Sequence, residues 1–245
     1  TGPITQTGNT ITKRKVNVTF GEQHKSYDGL SKNTSIDASV SAADAAVLNS
    51  DVTRLAVDNK LTNLTATGTP PNIISNYGKR TGTGFTPDAN AGTNKDVQYA
   101  GLSAAMNTSL GGNAGNYEFD TDGYGKGYIE RATINASDVT FAASNAEKVY
   151  DGTKTVKYNG SSASNDVKNY ITTASVVLNG NTVDLRNDLV MDTTGTQYSS
   201  ANATNGTPAT VTYKFHLNNS NINISGDNNF TKTANGTIDR RVLKL

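Results

Sequence analysis

Residues 120–123 carry carboxylates in a spacing that suggests metal chemistry. Asp120 and Asp122 alternate with threonine ahead of a glycine, and such a run can place oxygen ligands around Ca²⁺. If Asp120 begins a calcium loop, however, Tyr124 stands where another oxygen ligand is expected and Arg131 where a glutamate belongs. We therefore predict an acidic hairpin loop, with calcium binding by Asp120 and Asp122 as the alternative.

Other catalytic patterns are missing from the sequence. There is no cysteine, which excludes disulfides, thiolate nucleophiles and thiolate metal sites. The sequence has no Gly-x-Ser-x-Gly motif and no glycine-rich loop that leads into Lys-Ser or Lys-Thr. The two histidines, His24 and His216, occupy unrelated positions and are interpreted as solvated. We expect neither an enzyme, nor a cofactor, nor a resident metal.

The triplet Tyr-Asp-Gly occurs twice, each time two residues after a lysine, Lys25 or Lys148. Its residues are Tyr27, Asp28 and Gly29 in the first case and Tyr150, Asp151 and Gly152 in the second. Asp-Gly is a common turn dipeptide, so we predict two structural turns with a buried tyrosine before each. The lysines are predicted to extend from strands towards solvent, and a Lys–Asn isopeptide bond is the alternative.

A second pattern indicates that the chain is repetitive. An isoleucine is followed two residues later by a basic residue at Ile11/Lys13, Ile129/Arg131 and Ile238/Arg240. The interval of roughly 110 to 120 residues is an ordinary domain length. We predict the tail of a preceding repeat at 1–11, a first repeat at 12–131, and a second at 132–245 that ends in the start of a following one. The two are expected to join with almost no linker.

Alternating apolar residues, as in 16–20 and 211–215, predict β-strands with one buried face. Strands are predicted at 14–20, 97–102, 127–134, 138–142, 153–158, 175–178, 182–185 and 210–217. The predicted class is all-β, as two tandem antiparallel β-sandwich-like domains, with a β-grasp-like sheet as the alternative. Asn179-Gly180 predicts a hairpin. One short helix per repeat is expected, after Ser41 in the first and at 166–171 in the second.

Residues 66–95, rich in Gly, Thr, Pro and Asn, are predicted to form a surface insertion of the first repeat only. Tyr77, Phe85 and Tyr99 lie in or near it, which raises the hypothesis that it binds a host glycan or protein. The charges balance, with 22 Lys and Arg against 21 Asp and Glu, so we expect no nucleic-acid partner. No apolar run reaches the roughly 20 residues of a membrane span, and a monomer without membrane insertion is expected.

These motifs resemble the YDG repeat. The resemblance rests on Lys-x-Tyr-Asp-Gly, on the run from Asn90 to Val97, on Gly101-Leu102 and Gly115-Asn116-Tyr117, and on Gly-x-Ile-x-Arg. That repeat and the similar MBG repeat occur in tandem in large bacterial surface adhesins of the filamentous-haemagglutinin-like, two-partner secretion type. The resemblance implies secretion to the bacterial surface, contacts with neighbouring repeats, and a structural or adhesive role without catalytic residues.

Overall fold

A computed structural model of the chain describes residues 10–62, 64, 73–158 and 166–244. Residues 1–9 of the predicted tail at 1–11, and residues 66–72 of the predicted insertion, lie outside the described residues. The chain divides into two compact units between Glu130 and Arg131, and Tyr27–Gly29 group with the second unit.

Among its described residues, the first unit contains two α-helices, a 3₁₀ helix over Gly111–Asn116 and three sheets. Its elements are β1 (Arg14–Lys15), β2 (Thr19–Phe20), β3 (Gln23–Ser26), β4 (Ala38–Ser39), α1 (Ala42–Asp51), β5 (Ala56–Val57), β6 (Lys60–Leu61), β7 (Ile74–Thr81), β8 (Gly84–Pro87), β9 (Gly92–Ala100), α2 (Leu102–Leu110), β10 (Tyr117–Glu118) and β11 (Asp122–Glu130). The main sheet has the order β3-β11-β9-β7-β8, beside a smaller sheet β2-β4-β6-β5 and the pair β1-β10.

The second unit has a comparable arrangement of one main sheet, a smaller sheet and a separate strand pair. Its strands are β12 (Ala132–Ile134), β13 (Thr140–Ala143), β14 (Ala146–Val149), β15 (Ile171–Leu178), β16 (Asn181–Asp184), β17 (Leu189–Met191), β18 (Gln197–Tyr198), β19 (Ala209–Leu217), β20 (Ile222–Ile224) and β21 (Asn229–Asp239). The main sheet has the order β14-β21-β19-β17, with β18 also pairing with β19, beside a sheet β13-β15-β16 and the pair β12-β20.

The all-β prediction is confirmed, but the sheets are mixed rather than purely antiparallel. In the first unit β3 pairs with β11 and β1 with β10, and in the second β14 pairs with β21 and β12 with β20, all four pairs in parallel. Alternation of apolar residues fixes which face of a strand is buried and carries no information about the direction of its neighbour. The parallel pairs were therefore not predictable from the alternation.

Two local predictions are confirmed. Helix α1 begins after Ser41, whose Oγ accepts the backbone N–H of Asp44 at 3.1 Å. The hairpin of β15 and β16 turns at Asn179-Gly180, where both residues have positive φ. In the second unit the expected helix is a single 3₁₀ turn over Val167–Tyr170, capped by Asp166. Helix α2 had no predicted counterpart.

Two predictions about the main sheets are wrong. Within the predicted strand at 153–158, the structure has a single bridge between Thr155 and Gln197. The predicted insertion forms β7, β8 and the start of β9 from residue 74 onwards. Its alternate residues Ser75 and Tyr77 are buried, so this segment is part of the core sheet rather than a surface loop.

Candidate functional site

The Tyr150-Asp151-Gly152 turn is built around the ammonium group of Lys148. The side chain of Lys148 is only 3% exposed. Its Nζ lies 2.8 Å from Asp151 Oδ1 and donates a hydrogen bond of 2.6 Å to the carbonyl oxygen of Thr153. Burial of an ammonium is costly unless the group is paired and hydrogen-bonded, so these contacts hold the charge in place. The expectation that Lys148 extends into solvent is wrong, because the turn that follows β14 folds back over it.

Asp151 collects several donors within this turn. It accepts the backbone N–H of Thr153 at 3.0 Å and the Thr153 hydroxyl at 2.7 Å, and its other oxygen lies 3.1 Å from the Nζ of Lys157. The hydrogen bond from Lys148, followed by those from Thr153, holds the pKa of the Asp151 carboxyl far below its usual range. These donors therefore favour the ionised form of the Asp151 carboxyl, and that ionised carboxylate holds the turn together.

Lys25 organises the turn after the first Tyr-Asp-Gly triplet. It lies on β3, and its Nζ donates to the carbonyl oxygens of Leu30 at 2.7 Å and Lys32 at 3.0 Å. The carbonyl of Leu30 stands five residues after Lys25, as that of Thr153 stands five residues after Lys148. The two lysines also occupy the same register, because Lys25 pairs with Ile129 and Lys148 with Ile238 in their parallel ladders.

A tyrosine ring flanks each lysine. The Nζ of Lys25 lies 6.0 Å from the ring centroid of Tyr77, and that of Lys148 lies 5.4 Å from the ring centroid of Tyr198. Cations at such distances from an aromatic face are attracted to it. Each unit therefore places one lysine on the edge strand of its main sheet, one isoleucine on the neighbouring strand, and one tyrosine on a strand beyond β9 or β19.

A glycine on the last strand makes room for each tyrosine. A Cβ atom on Gly127 would lie 2.8 Å from the Tyr77 ring and 3.0 Å from Val97, and one on Gly236 would lie 2.6 Å from the Tyr198 ring and 2.5 Å from Val211. These approaches are too close for a side chain, so glycine is required at both places. We call the Lys, Tyr, Gly and Ile sets, 25/77/127/129 and 148/198/236/238, the lysine nodes.

The tyrosines of the two Tyr-Asp-Gly triplets differ in burial. Gly29 and Gly152 both have left-handed backbone, with φ of 81° and 78°. Tyr27 is buried, whereas Tyr150 is 40% exposed. The expectation of two buried tyrosines is wrong for Tyr150, because its ring lines an open surface cleft beside Asn202 and Arg240 instead of a core.

Two adjoining clefts in the first unit share Arg80 and Tyr124. They have volumes of about 530 and 800 Å³, and the Arg80 guanidinium lies 4.1 Å from the centroid of the Tyr124 ring. Asp96 accepts the Arg80 backbone N–H at 2.8 Å and pairs with Lys126 at 2.6 Å. The hydrogen bond from Lys126, then that from Arg80, lowers the pKa of Asp96 below its usual range.

The calcium candidates Asp120 and Asp122 line the smaller of these clefts. Asp122 accepts the backbone N–H of Gly101 at 3.3 Å. Within the described part of the chain, no group of three or more His, Cys, Asp or Glu side chains is arranged to hold a metal ion. The guanidinium of Arg80 lines the same cleft and supplies a positive charge there.

The remaining candidates do not converge. Tyr77 and Tyr99 are fully buried, so with Phe85 they do not form an exposed aromatic platform. His24 stacks on Tyr128 with ring centroids 5.1 Å apart, and His216 is exposed on β19. The sequence does not indicate a site at Arg80, and it singles out Tyr124 only as a departure from the calcium-loop pattern.

The chain matches no protein-family model, and comparison with curated proteins and with solved structures finds no significant match. Among the described residues, no helix has the length and apolar character needed to cross a membrane.

Proposed function

We propose that the chain is a structural, tandem-repeat segment of a secreted bacterial surface protein, and that it projects or contributes to an adhesin. The observation that carries this proposal is the pair of lysine nodes. Both nodes use their charged and aromatic residues to fix the turn that follows the edge strand of the main sheet, and the Lys148 ammonium is almost fully withdrawn from solvent. Residues duplicated in this way serve the scaffold of a repeat.

The resemblance to YDG and MBG repeats supplies the cellular context of the proposal. Lys-x-Tyr-Asp-Gly and Gly-x-Ile-x-Arg supply the lysine and the isoleucine of each node, with the glycine of the second motif at Gly127 and Gly236. The sequence features of the resemblance are thus the residues that build the shared fold. In this proposal the partners are neighbouring repeats, and the protein acts at the cell surface without catalysis.

Surface display is the decisive test of the proposal. An antibody raised against the 245-residue chain should label intact cells of the source bacterium, and brief protease treatment of those cells should remove the signal while a cytoplasmic marker persists. Labelling that requires permeabilised cells would contradict the proposed location.

A second candidate function is binding of a host glycan or protein through the clefts at Arg80 and Tyr124. The stack of Arg80 on Tyr124 supports it, because a charged group, an aromatic ring and the carboxylates Asp120 and Asp122 line one concave surface. Such mixed polar and aromatic surfaces suit sugar hydroxyls and ring faces.

The second candidate can be tested with a glycan array and with host-cell binding. The chain should bind, and Arg80→Ala should abolish binding. The matched control is Arg186→Ala, which removes an exposed arginine that pairs with Asp184 in the other unit. Equal loss in both variants, or no binding by the unaltered chain, would eliminate this candidate.

A further inference from the structure

The direction of strand pairing determines how each unit responds when its two ends are pulled apart. Consider two paired strands, the earlier one pulled at its N-terminal end and the later one at its C-terminal end. If the strands are antiparallel, both forces act at the same end of the ladder, and its hydrogen bonds break one after another. If they are parallel, the forces act at opposite ends, and the strands must slide so that the bonds carry the load together.

In the second unit, the strands nearest the two ends are joined by parallel pairs. β12 pairs with β20 over Ala132–Ile134, and β14 pairs with β21 over Ala146–Val149. Backbone bonds lengthen both ladders: the N–H of Ala132 donates to the Asn221 carbonyl at 2.9 Å, and the N–H of Tyr150 donates to the Asp239 carbonyl at 2.8 Å. Tension along the chain therefore loads both ladders in shear.

The last strand of this unit is also held on its other side. β21 forms an antiparallel ladder of eight registered pairs with β19. The N–H of Thr204 donates to the carbonyl of Ile238 at 2.9 Å, and Arg240 Nε donates to Asn205 Oδ1 at 2.7 Å. When the whole unit is stretched, a pull on the C-terminal end of β21 therefore meets these contacts in addition to the parallel ladder with β14.

The first unit has the same arrangement. β1 pairs in parallel with β10, and β3 pairs in parallel with β11 over four registered residues. The N–H of Val16 extends the first ladder with a bond of 3.0 Å to the Glu118 carbonyl. In both units these ladders between early and late strands run parallel, although every other pair among the described strands is antiparallel.

From these pairings we infer that each unit is a tension-bearing module, in which the parallel ladders resist extension of the chain. The inference deepens the proposed function and rests on it, since a segment that projects an adhesin transmits the pull on its tip to the cell. The mechanical property itself depends only on strand topology and can be tested without reference to any cell.

The test is single-molecule force spectroscopy on the full chain with handles attached at introduced cysteines, which is simple because the sequence has none. Handles at Glu130→Cys and Arg240→Cys load the second unit in shear. Handles at Thr207→Cys and Arg240→Cys load the antiparallel β19-β21 pair from one end, where Ala209 opposes Gly236. All three positions are exposed, and both proteins share the Arg240 substitution.

At equal loading rate, the 130/240 pair should unfold at a force about twofold or more above that of the 207/240 pair, because forced unfolding follows the barrier along the direction of pull. Equal forces, or a lower force for the 130/240 pair, would overturn the inference. That outcome would leave the surface-display experiment untouched, so failure of the mechanical inference and failure of the proposed function are distinguishable.

Discussion

Lys148 and Asp151 form an ion pair of 2.8 Å in which the lysine side chain is 3% exposed and the aspartate side chain 25% exposed. The same carboxylate meets Lys157 at 3.1 Å, and the Lys157 side chain is 60% exposed. One aspartate therefore binds a buried and a solvated lysine, which allows the effect of burial to be separated from the effect of charge.

The first prediction compares these two lysines. Lys148→Met leaves the Asp151 carboxylate and the Thr153 carbonyl without their buried donor, so the free energy of unfolding of the second unit should fall by about 2 to 3 kcal/mol. Lys157→Met removes only a solvated partner and should change it by less than about 1 kcal/mol. Urea unfolding followed by circular dichroism measures both. Equal effects would show that burial of Lys148 contributes nothing.

The second prediction concerns acid. The pKa of Asp151 is held below its usual range by Lys148 and Thr153, and that of Asp192 is lowered to about 2, first by the Gly195 backbone N–H and then by Lys214. A carboxyl group whose pKa is lower in the folded state stabilises the fold at pH values above its unfolded-state pKa of 3.8. That stability is lost as the pH falls through the folded-state pKa.

The urea midpoint of the second unit should therefore decline as pH drops from about 4 to about 2. Asp151→Asn should reduce the steepness of this decline, because the residue no longer takes up a proton on unfolding. An acid dependence identical to that of the unaltered chain would contradict the assignment of the effect to Asp151.

The third prediction tests the close approach of glycine and tyrosine in the lysine node of the first unit. In Gly127→Ala the added methyl group would lie 2.8 Å from the Tyr77 ring and closer still to the Gln23 carbonyl oxygen. These approaches should destabilise the unit by about 1 to 3 kcal/mol through overpacking. Gly115→Ala serves as the control, because a Cβ there meets nothing within 4 Å. Thermal unfolding should show a lower melting temperature for Gly127→Ala than for Gly115→Ala. Equal melting temperatures would show that β11 and its neighbours accommodate the methyl group without cost.

The fourth prediction concerns alkaline pH. Burial raises the pKa of the Tyr213 hydroxyl to about 12, and burial together with Asp51 raises that of Tyr117 to about 12. A group whose folded pKa lies above its unfolded value of 10.0 stabilises the fold at lower pH, and this stability is lost as pH rises from about 10 to about 12. Phenolate absorbance should show these tyrosines ionising together with unfolding. If all 11 tyrosines of the chain ionised reversibly at about pH 10, the ordinary pKa of tyrosine, while the circular dichroism stayed unchanged, the burial of Tyr213 and Tyr117 would be contradicted.

Local signals in the sequence predicted local structure well. The capping pattern at Ser41 and the Asn179-Gly180 dipeptide each depend on a few neighbouring residues, and both are correct. Tyr77 shows where such reasoning stops. Its segment is rich in turn-forming residues, yet it forms a core strand because β9 lies beside it and supplies the antiparallel partner. A contact between distant segments decides its structure.

The candidate site was predictable only in part, for the same reason. Lys25 and Lys148 were marked by their repetition beside Tyr-Asp-Gly, but their environment depends on Tyr77, Tyr198 and the last strand of each unit. Nothing next to Lys148 in the sequence indicates a partner about 90 residues away. The repeated lysine was visible in the sequence, and its surroundings were not.

The pairing of an early strand with the last strand also sets the order in which a unit can fold. The paired residues Lys25 and Ile129 are about 100 positions apart in the sequence, and Lys148 and Ile238 are about 90 apart. Neither parallel ladder can therefore form until nearly the whole unit is available. A chain that emerges from a pore with its N-terminus first keeps each unit open until its final strand has passed. If the chain is secreted in this way, completion of the main sheet outside the pore would oppose its return.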